Sequence, residues 1–155
     1  MKFNAQEDVE APLDFVFSRV TDYQSLERSA LRRGAEVQRL DDLPLFGVGM
    51  EWDTVFELRG KRRQMRLHVT QCEAPNFVEV LGNSKNIKGL VNVDLVALSR
   101  GRTRISVALE MNPKTLSARL LVQSLKLARA TMTKQFRARV ASYADDIEDR
   151  FRART

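Results

Sequence analysis

The sequence predicts an α+β domain in which an antiparallel sheet is covered by a long C-terminal helix. Three observations carry this reading. Between residues 35 and 111, apolar and polar residues alternate in segments separated by short turns, which is the pattern of half-buried strands joined in sequence order. After Asn112-Pro113, about 35 residues contain neither glycine nor proline and read as one long helix. Before the strand-rich part, helical spacing and punctuation mark two short helices.

Residues 2–9 alternate, with Phe3, Ala5 and Val9 on one side and Lys2, Asn4, Gln6 and Asp8 on the other. Ala11-Pro12 breaks this strand, and Pro12 suits a helix start. Phe15, Val16 and Val20 then follow at helical spacing. Thr21-Asp22 reads as the N-cap of a second helix reaching about Arg32, which Gly34 ends. Residues 35–40 form a short strand candidate. In 48–58, Val48, Met50, Trp52, Thr54, Phe56 and Leu58 share one face, while Glu51, Asp53 and Glu57 share the other. Gly60 turns the chain into a partner strand with Met65, Leu67 and Val69 inward. Gln64, Arg66, His68 and Thr70 point outward, so acids on one outer face meet bases on the next, as cross-strand charge pairs would. Ala74-Pro75-Asn76 is a further turn, and a strand over 77–82 ends at Gly82-Asn83-Ser84. The last two strands span about 88–98 and 102–111, joined at Ser99-Arg100-Gly101. No repeat, linker or low-complexity segment divides residues 1–155, so one domain is expected.

Composition excludes several classes. At 43% hydrophobic and 30% charged residues, the balance is globular rather than disordered. No apolar run approaches the roughly 20 residues of a membrane-spanning helix. The opening residues Met1-Lys2-Phe3-Asn4 carry no secretory apolar region, and Cys72 is alone, so a reducing cytoplasm is the expected compartment. With one His and one Cys, a zinc site lacks its usual ligands, and no glycine-rich phosphate loop is present; no cofactor is expected.

The net charge of +6 concentrates in two places. Residues 59–66 hold Arg59, Lys61, Arg62, Arg63 and Arg66, and residues 112–140 hold Lys114, Arg119, Lys126, Arg129, Lys134, Arg137 and Arg139, with no acid in either. Such charge attracts polyanions. Aromatics are not interleaved with it, as a single-strand stacking platform requires, so nucleic acid is disfavoured and a solvated basic face is the simpler reading.

At about 100° per residue, Leu121, Leu125, Ala128, Met132, Phe136, Val140, Tyr143 and Ile147 make one stripe facing the sheet. Arg129 falls within it. A buried guanidinium needs a partner, which an acidic ligand group, Glu7 or Glu79 would supply; curvature or snorkelling to water is the alternative and the favoured one. Leu116, Leu120 and Leu127 lie away from the stripe beside Lys126 and Lys134. A neighbouring loop or a homodimer would use them, as would, less readily, a peripheral membrane contact.

The segment Val9-Glu10-Ala11-Pro12-Leu13-Asp14-Phe15-Val16-Phe17, followed by Val20-Thr21-Asp22-Tyr23, resembles the opening of SRPBCC-superfamily proteins. These include START lipid-transfer domains, pollen-allergen-like proteins and the polyketide cyclase/dehydrase-like group, which the turn and strand Gly101-Arg102-Thr103-Arg104-Ile105 also resembles. The resemblance spans almost the whole chain, through loose motifs that fix turns and packing. It implies a helix-grip fold: a curved antiparallel sheet wrapped on the last helix, two short helices closing one end, and a ligand cavity between sheet and helix. It also implies binding of lipids, polyketides or similar small hydrophobic molecules, with a cyclase- or dehydratase-like enzyme, or an interaction module using the basic surface, as rivals. Catalytic residues are not shared across the superfamily, so none carries over.

Alternation makes Met50, Trp52, Thr54, Phe56, Met65 and Leu67 the sheet-side candidates for a ligand wall, with Met132 and Phe136 from the helix. A filled core needs the same residue types, and the resemblance tips the reading toward a cavity. Glu7, inward on the first strand, and Arg129 are the polar candidates. His68 faces outward, where a general base would not meet an enclosed substrate. Cys72 has no histidine beside it in sequence and reads as an inert thiol.

Overall fold

The computed structural model describes residues 1–58 and 60–154. Arg59, part of the basic turn, lies outside the described residues. The element order is β1 (Lys2–Val9), α1 (Leu13–Val20), α2 (Tyr23–Arg32), β2 (Glu36–Arg39), β3 (Glu51–Leu58), β4 (Lys61–Glu73), β5 (Phe77–Asn83), β6 (Ile87–Ser99), β7 (Arg102–Pro113), α3 (Leu116–Lys126) and α4 (Arg129–Arg152).

The strands form one antiparallel sheet in the order β1-β7-β6-β5-β4-β3-β2. Consecutive strands β2 to β7 pair as neighbours, joined by short turns except for the longer loop 40–50 between β2 and β3. β1 adds beside β7, and α1 and α2 carry the chain to the opposite edge, where β2 begins. Register fixes which side chains share a face. Glu7 lies opposite Ile105 and Ile105 opposite Leu95; Phe3 lies opposite Leu109, then Val91, Val80 and Val69. This is the inner face, against which the helices pack. On the outer face Asp8 meets Arg104 at 2.8 Å and Arg102 at 3.4 Å. The Arg104 hydrogen bond holds the Asp8 carboxyl below its ordinary range.

Local chemistry places the short helices as expected. Pro12 stands at the N-cap of α1, whose Val16 and Val20, one turn apart, are both buried. Asp22 caps α2, its carboxylate accepting from the Ser25 amide at 3.2 Å. Gly34, at φ 89°, follows the helix end in a conformation that favours glycine.

α1 and the second half of α4 close one end of the sheet. Val9, Val16, Leu95, Ile105, Ala144 and Ile147 form a dry cluster there. Phe15 of α1 packs on Phe151 of α4 with ring centroids 5.1 Å apart, and the Glu10 amide donates to Glu148 at 2.8 Å. The Tyr143 hydroxyl donates to the Arg19 carbonyl at 3.2 Å, and burial pushes that phenol up to about 12.

Two expectations need correction, and the favoured reading of Arg129 gains its cause. The C-terminal segment is two helices rather than one, interrupted at Leu127 and Ala128. There the Ala128 amide bonds to the Leu125 carbonyl, a tightened turn in place of the regular ladder. Arg129 is consequently exposed, its guanidinium donating to the Lys2 carbonyl at 3.4 Å. An unbroken helix would hold Arg129 within about 40° of the buried Leu125; the interruption turns it out to water, where a cation is solvated. Finally, Val48 does not continue the β3 face. The strand begins at Glu51, and Val48 is exposed in the preceding loop next to Gly49, at φ 98°.

The outer-face charges stand opposite one another as the alternation implied, Asp53 with Arg66 and Glu57 with Arg62. The contacts run elsewhere: Asp53 accepts from Gln64 at 3.0 Å, while Arg62 pairs with Glu36 of β2 at 2.7 Å. Both ends of that ion pair are exposed, so it contributes little to stability.

Candidate functional site

Burial along the inner face is graded. At the closed end the side chains of Val9, Leu95, Ile105 and Thr103 are sealed from solvent. Toward the other end, where β3 stops, β4 starts and α3 crosses, the inner-face residues Phe56, Met65, Leu67, Val91, Leu109 and Met111 are only half-buried. Val91 and Leu109 sit on the interior strands β6 and β7, where close packing under a helix would seal them. α4 makes its closest approach along β1 rather than over the centre of the sheet. The apolar inner face is therefore left partly uncovered as a shallow groove between the sheet and the α3–α4 arm.

Two glycines shape its floor. Gly82 and Gly89 face each other across β5 and β6, between Leu67 on one side and Met111 on the other. A side chain at Gly82 would put its Cβ 2.7 Å from the Met65 sulfur and 3.1 Å from a Leu67 methyl, so these two side chains lean over the bare backbone. A side chain there would make Met65 and Leu67 shift, so glycine lets them lie close over the strand.

The structure gathers most of the sequence candidates and separates a few. Trp52 pairs with Leu67, and Thr54 with Met65, across β3 and β4. Met50 and Trp52 are buried with Val69 in a second apolar cluster, backed by Tyr23, Val37 and Phe46. Phe136 of α4 stacks near Phe3 with centroids 5.9 Å apart, and Met132 is half-buried one turn earlier. Phe56 lies opposite Arg63 near the open end, where the Arg63 guanidinium donates to the Leu58 carbonyl at 3.2 Å. Glu7 is half-buried toward the closed end. Arg129, at the start of α4, is exposed and reaches the Lys2 carbonyl of edge strand β1.

The polar atoms on this wall already have partners. The Thr54 hydroxyl donates to the Met65 carbonyl at 2.7 Å, and the Trp52 indole N–H donates to Glu27 at 3.2 Å. Satisfied polar groups leave methyl, thioether and ring surface to meet an occupant. His68 lies opposite Glu51 on the outer face. Cys72 packs inward, and burial pushes its thiol up, which lowers its nucleophilic fraction. Among the described residues, no group of three or more His, Cys, Asp and Glu is placed to hold a metal ion. No helix of the described residues is long and apolar enough to cross a membrane.

The two measured concavities, of about 610 and about 340 Å³, occur instead on the outer side of the sheet. The larger, at the β1 edge, is lined by Asn4, Gln6, Asn92, Asp94, Ser106 and Arg137 among others. It offers mostly amide, hydroxyl and charged groups, where an apolar molecule would bury little surface of its own kind.

Sequence reasoning missed the glycine pair and the half-buried Val91 and Leu109. Glycine inside a strand pattern was the available signal for the first. Nothing in alternation separates a groove wall from a core. It also missed a polar knot at the closed end: Arg39 meets Asp41 at 2.6 Å and lies 4.8 Å over the Tyr23 ring, while Asp41 accepts from the Leu43 and Glu51 amides.

No family model matches the chain, and no curated protein matches it in sequence. Solved structures do match its shape. The Zhui aromatase/cyclase from Streptomyces sp. R1128 superposes with a TM-score of 0.64 at 12% identity, over 94% of this chain and 93% of that one. Norcoclaurine synthase from Thalictrum flavum gives 0.61 at 13% identity, over 92% and 87%. A START superfamily protein from Mycobacterium smegmatis gives 0.58 at 12%, over 86% and 95%. The chain has the helix-grip fold of START and Bet v1-like proteins, the SRPBCC fold. At these identities the likeness is one of architecture.

Proposed function

We infer that this protein binds a small hydrophobic molecule in the groove between the inner face of the sheet and the α3–α4 arm. The observation that carries this is the uneven burial of the inner face: Leu95 and Ile105 are sealed, whereas Met65, Leu67, Val91, Leu109 and Met111 are only half-buried, with Ile87 covered again beyond them. Occupying such a wall with an apolar molecule removes both surfaces from water, which is the main driving force available there. Met65, Met111 and Met132 add adaptable thioethers to it, suited to an occupant of irregular outline. Structures of the same shape include an aromatase/cyclase and a synthase in complex with dopamine and hydroxybenzaldehyde, so the architecture accommodates small ring compounds. The proposed lining is Trp52, Phe56, Met65, Leu67, Val91, Leu109, Met132 and Phe136. Met50 and Thr54 back it, and Glu7 is the acid nearest its closed end. Binding or carriage is favoured over catalysis, since the wall presents apolar surface and its Thr54 hydroxyl and Trp52 indole are internally paired.

Trp52 is the single tryptophan of the chain and lies beside Leu67, so its fluorescence reports on the groove directly. Titration with an environment-sensitive aromatic probe should change both the probe and the Trp52 emission, with native mass spectrometry giving one bound molecule. Val91→Phe should narrow the groove and weaken the probe about tenfold while changing stability by no more than about 1 kcal/mol. Saturable binding absent in the parent, or undiminished by Val91→Phe, would contradict the reading.

A further inference from the structure

The same end of the sheet at which the groove opens carries a second, unpartnered surface. α3 runs across that end: Lys114, just before it, is tied by its ammonium to Asn83 and the Ser84 carbonyl at 2.8 Å, and Arg129, just after it, reaches Lys2 at the start of β1. α3 buries Ala118, Val122 and Leu125. Its opposite side shows Leu116 and Leu120, 74% and 62% exposed, with Leu127 just beyond at 92%. A leucine ridge on the solvent side of a packed helix has no role in the fold, because the helix is already held by its other face.

The charges on the helical segment that carries this ridge are of one sign. Arg119 and Lys126 flank it on α3, and no acid occurs from residue 112 to residue 144. The β3–β4 turn brings Lys61 and Arg62 to the same end of the sheet, because β3 finishes where β7 does. A second basic cluster, remote in sequence, thus lies towards the same end of the sheet as the apolar ridge, with Arg62 there paired to Glu36. The other exposed apolar loop, with Leu45 at 78%, lies at the opposite end beside Asp41 and Asp42.

We propose that the α3 end docks on an anionic lipid surface, with Leu116, Leu120 and Leu127 entering the headgroup–acyl boundary and the surrounding Lys and Arg side chains meeting lipid phosphates and carboxylates. A second copy of the chain is disfavoured on this face, since it would bring two like-charged rings together. Nucleic acid would use the cations but leave the leucines in water. An interfacial helix with an apolar ridge and basic flanks satisfies both halves of the surface at once. This docking is independent of whether the groove is occupied.

Co-sedimentation of the full chain with phosphatidylcholine vesicles containing about 30 mol% phosphatidylserine tests it. Binding is expected at low salt, weakened by added salt, and much reduced on phosphatidylcholine alone. The double variant Leu120→Ser/Leu127→Ser should lose about tenfold or more in partitioning, and Arg119→Gln/Lys126→Gln a comparable factor, while Leu45→Ser binds as the parent does. All five positions are exposed, and unchanged unfolding midpoints confirm that the fold is retained. Absence of binding to the anionic vesicles overturns the proposal. So does undiminished binding by the leucine variant, or a concentration-dependent dimer that the leucine variant abolishes.

Discussion

Leu95→Ala and Leu109→Ala are one chemical change made at the two ends of the inner face. Leu95 is 1% exposed, within the dry cluster of Val9, Val78 and Ile105. Removing its branched end forfeits the transfer of roughly three carbon groups, about 0.8 kcal/mol each. A residual cavity adds about 1 kcal/mol, for a total near 3 kcal/mol. Leu109 lies opposite Phe3 and Val91 and is half-buried. Part of its surface already meets solvent, and its deletion enlarges an open groove instead of creating a sealed void, so about 1 kcal/mol is expected. Urea unfolding at constant slope reads the difference directly. For a chain of this size, the melting temperatures should fall by about 6–12 °C and about 2–4 °C respectively. Equal losses near 3 kcal/mol at both positions would mean a core filled from end to end, and the groove reading would fail.

Two further outcomes follow from contacts at the closed end. The Asp41 carboxyl is held well below its ordinary value of 3.8, first by its hydrogen bond from Arg39 and then by the Glu51 amide. The folded form is thus the weaker proton binder, and the stability this contact contributes is fully present above pH 3.8 and lost as pH falls toward the depressed value. Asp41→Asn should lower the unfolding midpoint at about pH 6 and flatten its decline on acidification; an acid limb identical to the parent's would refute the assignment. Thr103 is fully buried, and its hydroxyl donates to the Ala11 carbonyl at 2.8 Å. Thr103→Val keeps the shape and strands that carbonyl, at about 1–2 kcal/mol in urea unfolding, whereas no loss would show the bond to be dispensable.

Much of the architecture was legible because it rests on short-range rules. The alternation in residues 2–9 gave β1, Asp22 capped α2, and the turns at Gly60 and Ser99-Arg100-Gly101 set neighbouring strands side by side. The inward positions of Trp52, Thr54, Met65 and Leu67 followed from parity alone. The helix interruption did not: Leu127 and Ala128 are good helix formers, and no glycine or proline marks the break. The groove escaped for a related reason, since an apolar residue at an inward position reads the same whether a helix lies directly over it or to one side.

By itself the sequence determined the periods, the punctuation and the sign of the charge, hence the elements, their order and their inner faces. These depend on neighbours within a few residues, which any window of the chain displays. Only the tertiary structure decided that Arg129 leaves the apolar stripe, and that α4 lies along β1 and leaves Val91 and Leu109 open. It alone brought Lys61 and Arg62 to the end of the sheet that bears the leucines of α3. Those outcomes are set by where whole elements come to rest against one another. That placement is a balance of packing and solvation among residues far apart in the chain, which no local pattern records.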